Sequence, residues 1–128
     1  MIKPLNKKPS RRTDKKKLDI LFSDYIRGGA DFTCEFCGVK GKQVHCHHGV
    51  VHRRYMNTRF LEDNCACLCV ACHNFLSDFP KINTEFFTKR IGSDRMEEIE
   101  LMARRGGKVC LELVKEDLKK KLEVIDGR

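Results

Sequence analysis

The sequence predicts an α+β domain, with a small metal-bound centre between an N-terminal helix and a helical C-terminal part. Three observations predict it. The window "HCHHGVVHRRYMNTRFLEDNCACLCVACH", His45 to His73, holds all five histidines of the chain and five of its eight cysteines, with only Glu62 and Asp63 as acids. Two C-x-x-C pairs, "CEFC" and "CVAC", have the spacing of metal ligands. Apolar residues recur at helical spacing on both sides of this block.

The first helix is expected from about Asp14 to Arg27. Leu18, Leu21, Phe22 and Tyr25 fall at i, i+3, i+4 and i+7, with Thr13 as N-cap and Gly28-Gly29 as the stop. The cysteine/histidine block follows, over 32–79. After Pro80, "INTEFFTKRIG" predicts a short helix capped by Asn83 or Thr84 and closed by Gly92. "SDRMEEIELMARRGG" predicts another, capped by Ser93 or Asp94, with Met96, Ile99, Met102 and Ala103 on one stripe. The last, "KVCLELVKEDLKKKLEVID", aligns Leu111, Val114, Leu118, Leu122 and Ile125. Such stripes are ordinarily core. The last one is also spaced to serve a homodimer seam, which is its alternative use.

A chain of 128 residues fits one domain. Domain organisation is therefore read as a basic flexible tail over 1–13 and one domain over 14–128, comprising the helix at 14–29, the metal-bound core at 32–79 and the helical part at 80–128. Its 41% hydrophobic content and lack of Trp point to a modest core, which a bound metal can complete. No apolar run approaches the roughly 20 residues of a membrane span. "MIKPLNKKPSRRTDKKK" has no apolar segment of the kind a secretory signal needs. A cytoplasmic protein without membrane association is expected, in which eight cysteines stay reduced and serve metal rather than disulfides.

The net charge of +8 is unevenly placed. Residues 1–17 carry eight Lys/Arg, Arg11 and Arg12 among them, against the single acid Asp14. The rest of the chain is nearly balanced. A basic end of this kind either solubilises the chain or acts as an electrostatic arm on phosphates, where Lys and Arg displace counterions.

Within the block, Cys34, Cys37, Cys69 and Cys72 can complete a tetrahedral all-thiolate site suited to a structural Zn²⁺. The 31 residues between the pairs are too many for a simple finger loop and must hold structure of their own. Cys65 and Cys67 alternate with Ala66 as a strand would, and like Cys110 they read as unligated, buried cysteines. Cys46 fits either use.

A closed zinc site needs no further ligand, which leaves the histidines for other work. His47-His48 precede a basic loop, Asn64 ends that loop, and His73 directly follows the second cysteine pair. On these residues the sequence resembles the HNH (His-Me finger) endonucleases that carry a zinc ribbon. The run "NCACLCVACH" is similar to that family's N-x-x-x-L-C-x-x-C-H, and "HRRYMNTRFLEDN" resembles the phage recombination nucleases of the NinG/Rap type. The resemblance covers roughly Cys34 to Pro80.

The resemblance implies a ββα-metal, treble-clef-like core in which His48 is the general base and His47 and His73 bind a catalytic divalent ion. Asn64 orients the base through the loop backbone or serves as a ligand. Arg53, Arg54 and Arg59 would clamp DNA phosphates with planar forks, joined by Arg11 and Arg12 from the tail. The family often has an acid where His47 stands, so Mn²⁺ or Ni²⁺ is expected beside Mg²⁺. His45 and His52 are alternative ligands in the same cluster. The implied function is metal-dependent hydrolysis of DNA phosphodiesters, on branched recombination intermediates such as a Holliday junction or D-loop, in a host cytoplasm if the protein is phage-encoded. The competing readings are a non-catalytic zinc-ribbon module that binds nucleic acid or protein, and an HNH nuclease acting on linear duplex DNA.

Overall fold

The structure is a computed structural model that describes residues 11–41 and 43–126, with the side chains of residues 11–13 outside the description. Helix α1 spans Arg11–Gly29. Leu18, Phe22 and Ile26, spaced by four, bury one face, and Leu21 and Tyr25 flank it half-buried. The helix already includes residues 11–13, so Thr13 lies inside its first turn and is not its N-cap. The basic tail expected over 1–13 thus gives its last three residues to α1, and residues 1–10 lie outside the described residues. Past the glycine pair, Asp31 and Phe32 both take positive φ (52° and 53°) and turn the chain toward the first cysteine pair.

Strands β1 (Val44–His48) and β2 (Cys65–Cys69) form a two-stranded antiparallel sheet, with Cys46 opposite Cys67 and His48 opposite Cys65. Side chains alternate across a strand. Val44, Cys46 and His48 therefore face α1, where Phe22 stacks at a tilt against His48 with ring centroids 6.0 Å apart. His45 and His47 face the other way, toward the helix that follows β2. Strand β2 is apolar on both faces and buried nearly throughout, as its Cys-Ala-Cys-Leu-Cys sequence allows.

Helix α3 (Val70–Asp78) leaves β2 directly, its first turn capped by the Cys69 thiol, which accepts a bond from the Cys72 backbone N–H at 3.5 Å. Between the strands runs a long loop containing the short helix α2 (Met56–Arg59) and a 3-10 turn at Glu62–Asn64. Asn57 pins this loop to the C-terminus of α5 (Ser93–Arg105) by donating to the carbonyls of Met102 and Gly106.

Helix α4 spans Pro80–Ile91 and begins with its proline, whose fixed φ and missing N–H suit the first helical position. It does not begin at Asn83 or Thr84, so neither is its cap. Gly92 ends α4 at φ 87° and is also the N-cap of α5, so the expected Ser93 or Asp94 cap is not used. Met96, Ile99 and Ala103 are buried as their stripe predicts. Helix α6 (Leu111–Asp126) lays Leu118, Leu111 and Val114 on α1 of the same chain. Cys110, read from the sequence as a buried cysteine, lies exposed just before α6. No helix among the described residues is long and apolar enough to cross a membrane.

Two apolar clusters result, one around α1, α6 and one face of the sheet, the other around Phe87, Leu68 and Leu76 on the opposite face. Gly49, just past β1, marks how closely they meet. A Cβ there would come within 1.9 Å of the Phe87 ring, so only glycine lets the strand end pass over this fully buried side chain.

Candidate functional site

The first centre is the cysteine tetrad. The thiols of Cys34, Cys37, Cys69 and Cys72 all lie within 4.8 Å of one another, with Cys37 Sγ and Cys69 Sγ 3.8 Å apart. The first pair sits on a tight knuckle. Cys34 N–H donates to Val39 O at 2.8 Å, Gly38 N–H donates to Cys34 O at 2.9 Å, and Gly38 takes φ 83°, a conformation open to glycine. In each pair the second backbone N–H points at the first sulfur at 3.5 Å, a bond that favours the thiolate.

Burial opposes ionisation of Cys34, but hydrogen bonds from the backbone of Cys37, Cys69 and Phe36 outweigh it and bring the thiol down to about 6. Burial and the neighbouring thiols hold Cys72 in its protonated form. Four sulfurs this close cannot all ionise without a cation, and the set can hold a structural zinc. Glu35, one residue past Cys34, braces the knuckle: its carboxylate accepts from Cys67 N–H at 2.6 Å and pairs with Arg90 of α4 at 3.1 Å.

The second centre is a cleft of about 640 Å³ between α1, β1 and α3. All five histidines line it, with Asp19, Arg27, Arg53 and Ser77. His73 Nδ1 lies 3.1 Å from His45 Nδ1, and the His47 ring meets His73 edge-on with centroids 5.0 Å apart. His48 lies beyond them on the α1 side of the strand, half-buried, and His52 is exposed at the rim, where its Nδ1 accepts from Arg54 N–H at 3.0 Å.

Two of these imidazoles are fixed by acceptors. His48 Nε2 meets the backbone carbonyl of Arg59 at 2.9 Å. A carbonyl only accepts, so Nε2 carries the proton and Nδ1 keeps its lone pair. Asn83 donates its amide to Gly49 O at 2.8 Å, which turns its oxygen toward His47 Nε2 at 2.9 Å and leaves Nδ1 of that ring free as well. Burial lowers the pKa of His47, His48 and His73 below the usual 6.5. The Asn83 oxygen partly offsets this at His47, the Arg59 carbonyl does so at His48, and repulsion from His47 and His45 adds to it at His73. The rings are therefore neutral near pH 7, the form that binds metal or accepts a proton.

Asn64 is fully buried and works on backbone. Its oxygen accepts from Val51 N–H at 2.8 Å, and its amide donates to Val51 O and Thr58 O at 3.0 and 3.2 Å. With every polar atom engaged, it shapes the loop that carries Arg59.

The three loop arginines separate. Arg53 lines the cleft, and Arg54 lies exposed over the Tyr55 ring at 4.9 Å. Arg59, expected as a phosphate clamp, is instead buried. Its Nε donates to Asp19 at 2.7 Å, and another guanidinium nitrogen bonds Arg53 O at 2.9 Å. Its charge is engaged by Asp19, and its contribution to the cleft is the carbonyl that holds His48. Arg11 and Arg12 open α1, and their side chains lie outside the described residues.

Asp19 and Glu35 were not singled out by the sequence, and Asn83 was singled out only as a helix cap. Asp19 and Asn83 sit on flanking helices distant in the chain from the histidines they serve, and Asn83 reads equally well as a helix cap. No family model, no curated protein and no solved structure matches this chain.

Proposed function

We propose that this protein is a metal-dependent DNA endonuclease of the HNH type, with His48 as general base and a divalent ion held at His73 and His47. The observation that carries the reading is the convergence of all five histidines on one cleft, with the Nε2 of His47 and of His48 each held by an acceptor. A purely structural zinc module has no use for a half-buried neutral imidazole aimed by a backbone carbonyl.

The donors suit a transition ion. Neutral imidazoles with free Nδ1 atoms favour Mn²⁺, Ni²⁺ or Zn²⁺ over Mg²⁺. His45, 3.1 Å from His73, has the separation of two nitrogens that share one ion and joins the ligand set on this reading. Such an ion supplies charge neutralisation at the scissile phosphate and its leaving oxygen.

The chain's own residues perform the rest. His48 accepts the proton of the attacking water at Nδ1, while Arg59 O stabilises the imidazolium that forms. The water oxygen bonds to phosphorus, the bond to the 3′ oxygen breaks and that oxygen takes a proton from solvent, leaving a 5′-phosphate and a 3′-hydroxyl. Arg53 at the cleft wall meets the phosphate backbone. Asn64 keeps the loop, and so the Arg59 carbonyl, in place.

The substrate we assign is branched recombination DNA, on the NinG/Rap resemblance. The test is incubation of zinc-loaded protein with end-labelled linear, nicked and four-way DNA and Mg²⁺, Mn²⁺ or Ni²⁺. Preferential cutting of the four-way junction supports the assignment, equal cutting of linear duplex makes it a general nuclease, and no cutting with any ion leaves a binding module.

A further inference from the structure

A second group of metal-competent side chains lies on the α1 face of the sheet. Cys46 Sγ, Cys65 Sγ and a ring nitrogen of His48 all lie within 4.8 Å of one another. The strand register produces this: His48 stands directly opposite Cys65, and Cys46, two residues before His48, is diagonal to Cys65 on the same face.

We propose that these three residues form a thiophilic metal site, distinct from the cysteine tetrad, whose occupation by Zn²⁺ blocks His48 and switches catalysis off. The inhibitory part rests on the nuclease reading above, whereas the site itself does not.

The chemistry of the donors selects the ion. Two sulfurs and an imidazole with no carboxylate favour Zn²⁺, Co²⁺ or Cu⁺ and exclude Mg²⁺ and Ca²⁺ as competitors. Ligand atoms sharing a zinc lie roughly 3.5 Å apart, from Zn–S and Zn–N distances of about 2.3 and 2.0 Å, so the group needs only a small closure. Its setting suits a soft ion. Cys65 is fully buried in the apolar cluster with Phe22 and Val44, while Cys46 and His48 line the cleft and give the ion a way in. With His48 Nε2 committed to the Arg59 carbonyl, Nδ1 is the nitrogen available to ligate. That is the atom a general base needs, so metal binding and proton abstraction exclude each other. Binding displaces the two thiol protons to solvent and forms three metal–ligand bonds without redox change.

The test uses the full chain with one zinc already bound at the tetrad, titrated with Co²⁺. Zinc outcompetes cobalt for the tetrad, so new spectral bands report new sites. The expected result is a near-ultraviolet sulfur-to-cobalt band that saturates at one cobalt per chain and is lost in Cys46→Ser. A site made of histidines alone gives visible d–d bands without the sulfur band. The absence of a sulfur band in the wild type, or its persistence in Cys46→Ser, overturns the site whether or not the protein cuts DNA.

In the cleavage arm, added zinc beyond one equivalent should slow the wild type at least tenfold in Mn²⁺ and leave Cys46→Ser much less affected. Equal inhibition of the two overturns the switch while leaving the nuclease reading intact.

Discussion

His48 is held by the backbone of Arg59, whose carbonyl receives the imidazole Nε2 at 2.9 Å, and Arg59 is in turn held by Asp19 of α1. The chain of contacts runs from Asp19 in α1, through a buried guanidinium, to the ring proposed as the base. Together these contacts set the tautomer and aim of His48.

Replacing Asp19 by Ala leaves the Arg59 charge buried without its carboxylate, a loss of the kind that costs about 3 kcal/mol. Urea melts should show that destabilisation. In protein still folded at the assay temperature, kcat should fall with little change in KM, because the loop carbonyl no longer fixes the base. An unchanged kcat in Asp19→Ala would mean the Arg59 carbonyl is placed by Asn64 alone.

The cysteine tetrad predicts a sharp contrast among substitutions. Cys34→Ser removes one of four converging thiols and should cost the chain its zinc and most of its folding free energy, since small zinc sites supply about 10–16 kcal/mol of apparent binding energy. Cys110→Ser changes an exposed side chain outside both groups of converging thiols and should shift the melting midpoint within experimental error. Metal analysis alongside circular dichroism checks both. Full zinc retention in Cys34→Ser would remove Cys34 from the ligand set.

Acid should destabilise the fold through the histidines. His47, His48 and His73 have folded pKa values below the 6.5 of a free imidazole, with burial the first cause in each. As pH falls, the unfolded chain takes up these protons before the folded one does. The stability of the neutral rings is therefore fully present above about 6.5 and lost as pH falls through the folded values. Denaturant midpoints between about pH 8 and 5, taken where bound zinc is retained, should be flat and then decline. The cleavage rate should likewise rise to its plateau with an apparent pKa under 6.5. A midpoint that rises on acidification would contradict the buried, neutral assignment.

Much of this architecture was legible in the sequence because it follows from local periodicity. The stripe at Leu18 and Phe22 gave α1, the alternation of Cys65, Ala66 and Cys67 gave β2, and the two C-x-x-C pairs converge as their spacing implied. Helix starts were less legible. Thr13, Asn83 and Ser93 all have cap chemistry, but α1 begins upstream at Arg11, α4 begins at a proline, and α5 begins after Gly92 with no side-chain cap bond. The arginines of the loop were indistinguishable in sequence. Only the approach of Asp19, forty residues away, draws Arg59 inward and leaves Arg53 at the cleft. Cys46 was ambiguous for the same reason, since its neighbours depend on strand register and not on spacing.

The central claim is that His48 moves a proton while His73 holds an ion, and cleavage by two variants across a metal titration tests it most directly. His48→Ala should lose about 10²–10⁴-fold in single-turnover rate, with zinc content and DNA affinity retained, and raised Mn²⁺ or Ni²⁺ should not restore it. His73→Ala should lose cleavage to a similar extent but recover part of it as the ion concentration rises. Wild-type rates in His48→Ala, or recovery of both variants along the same metal curve, would contradict the account.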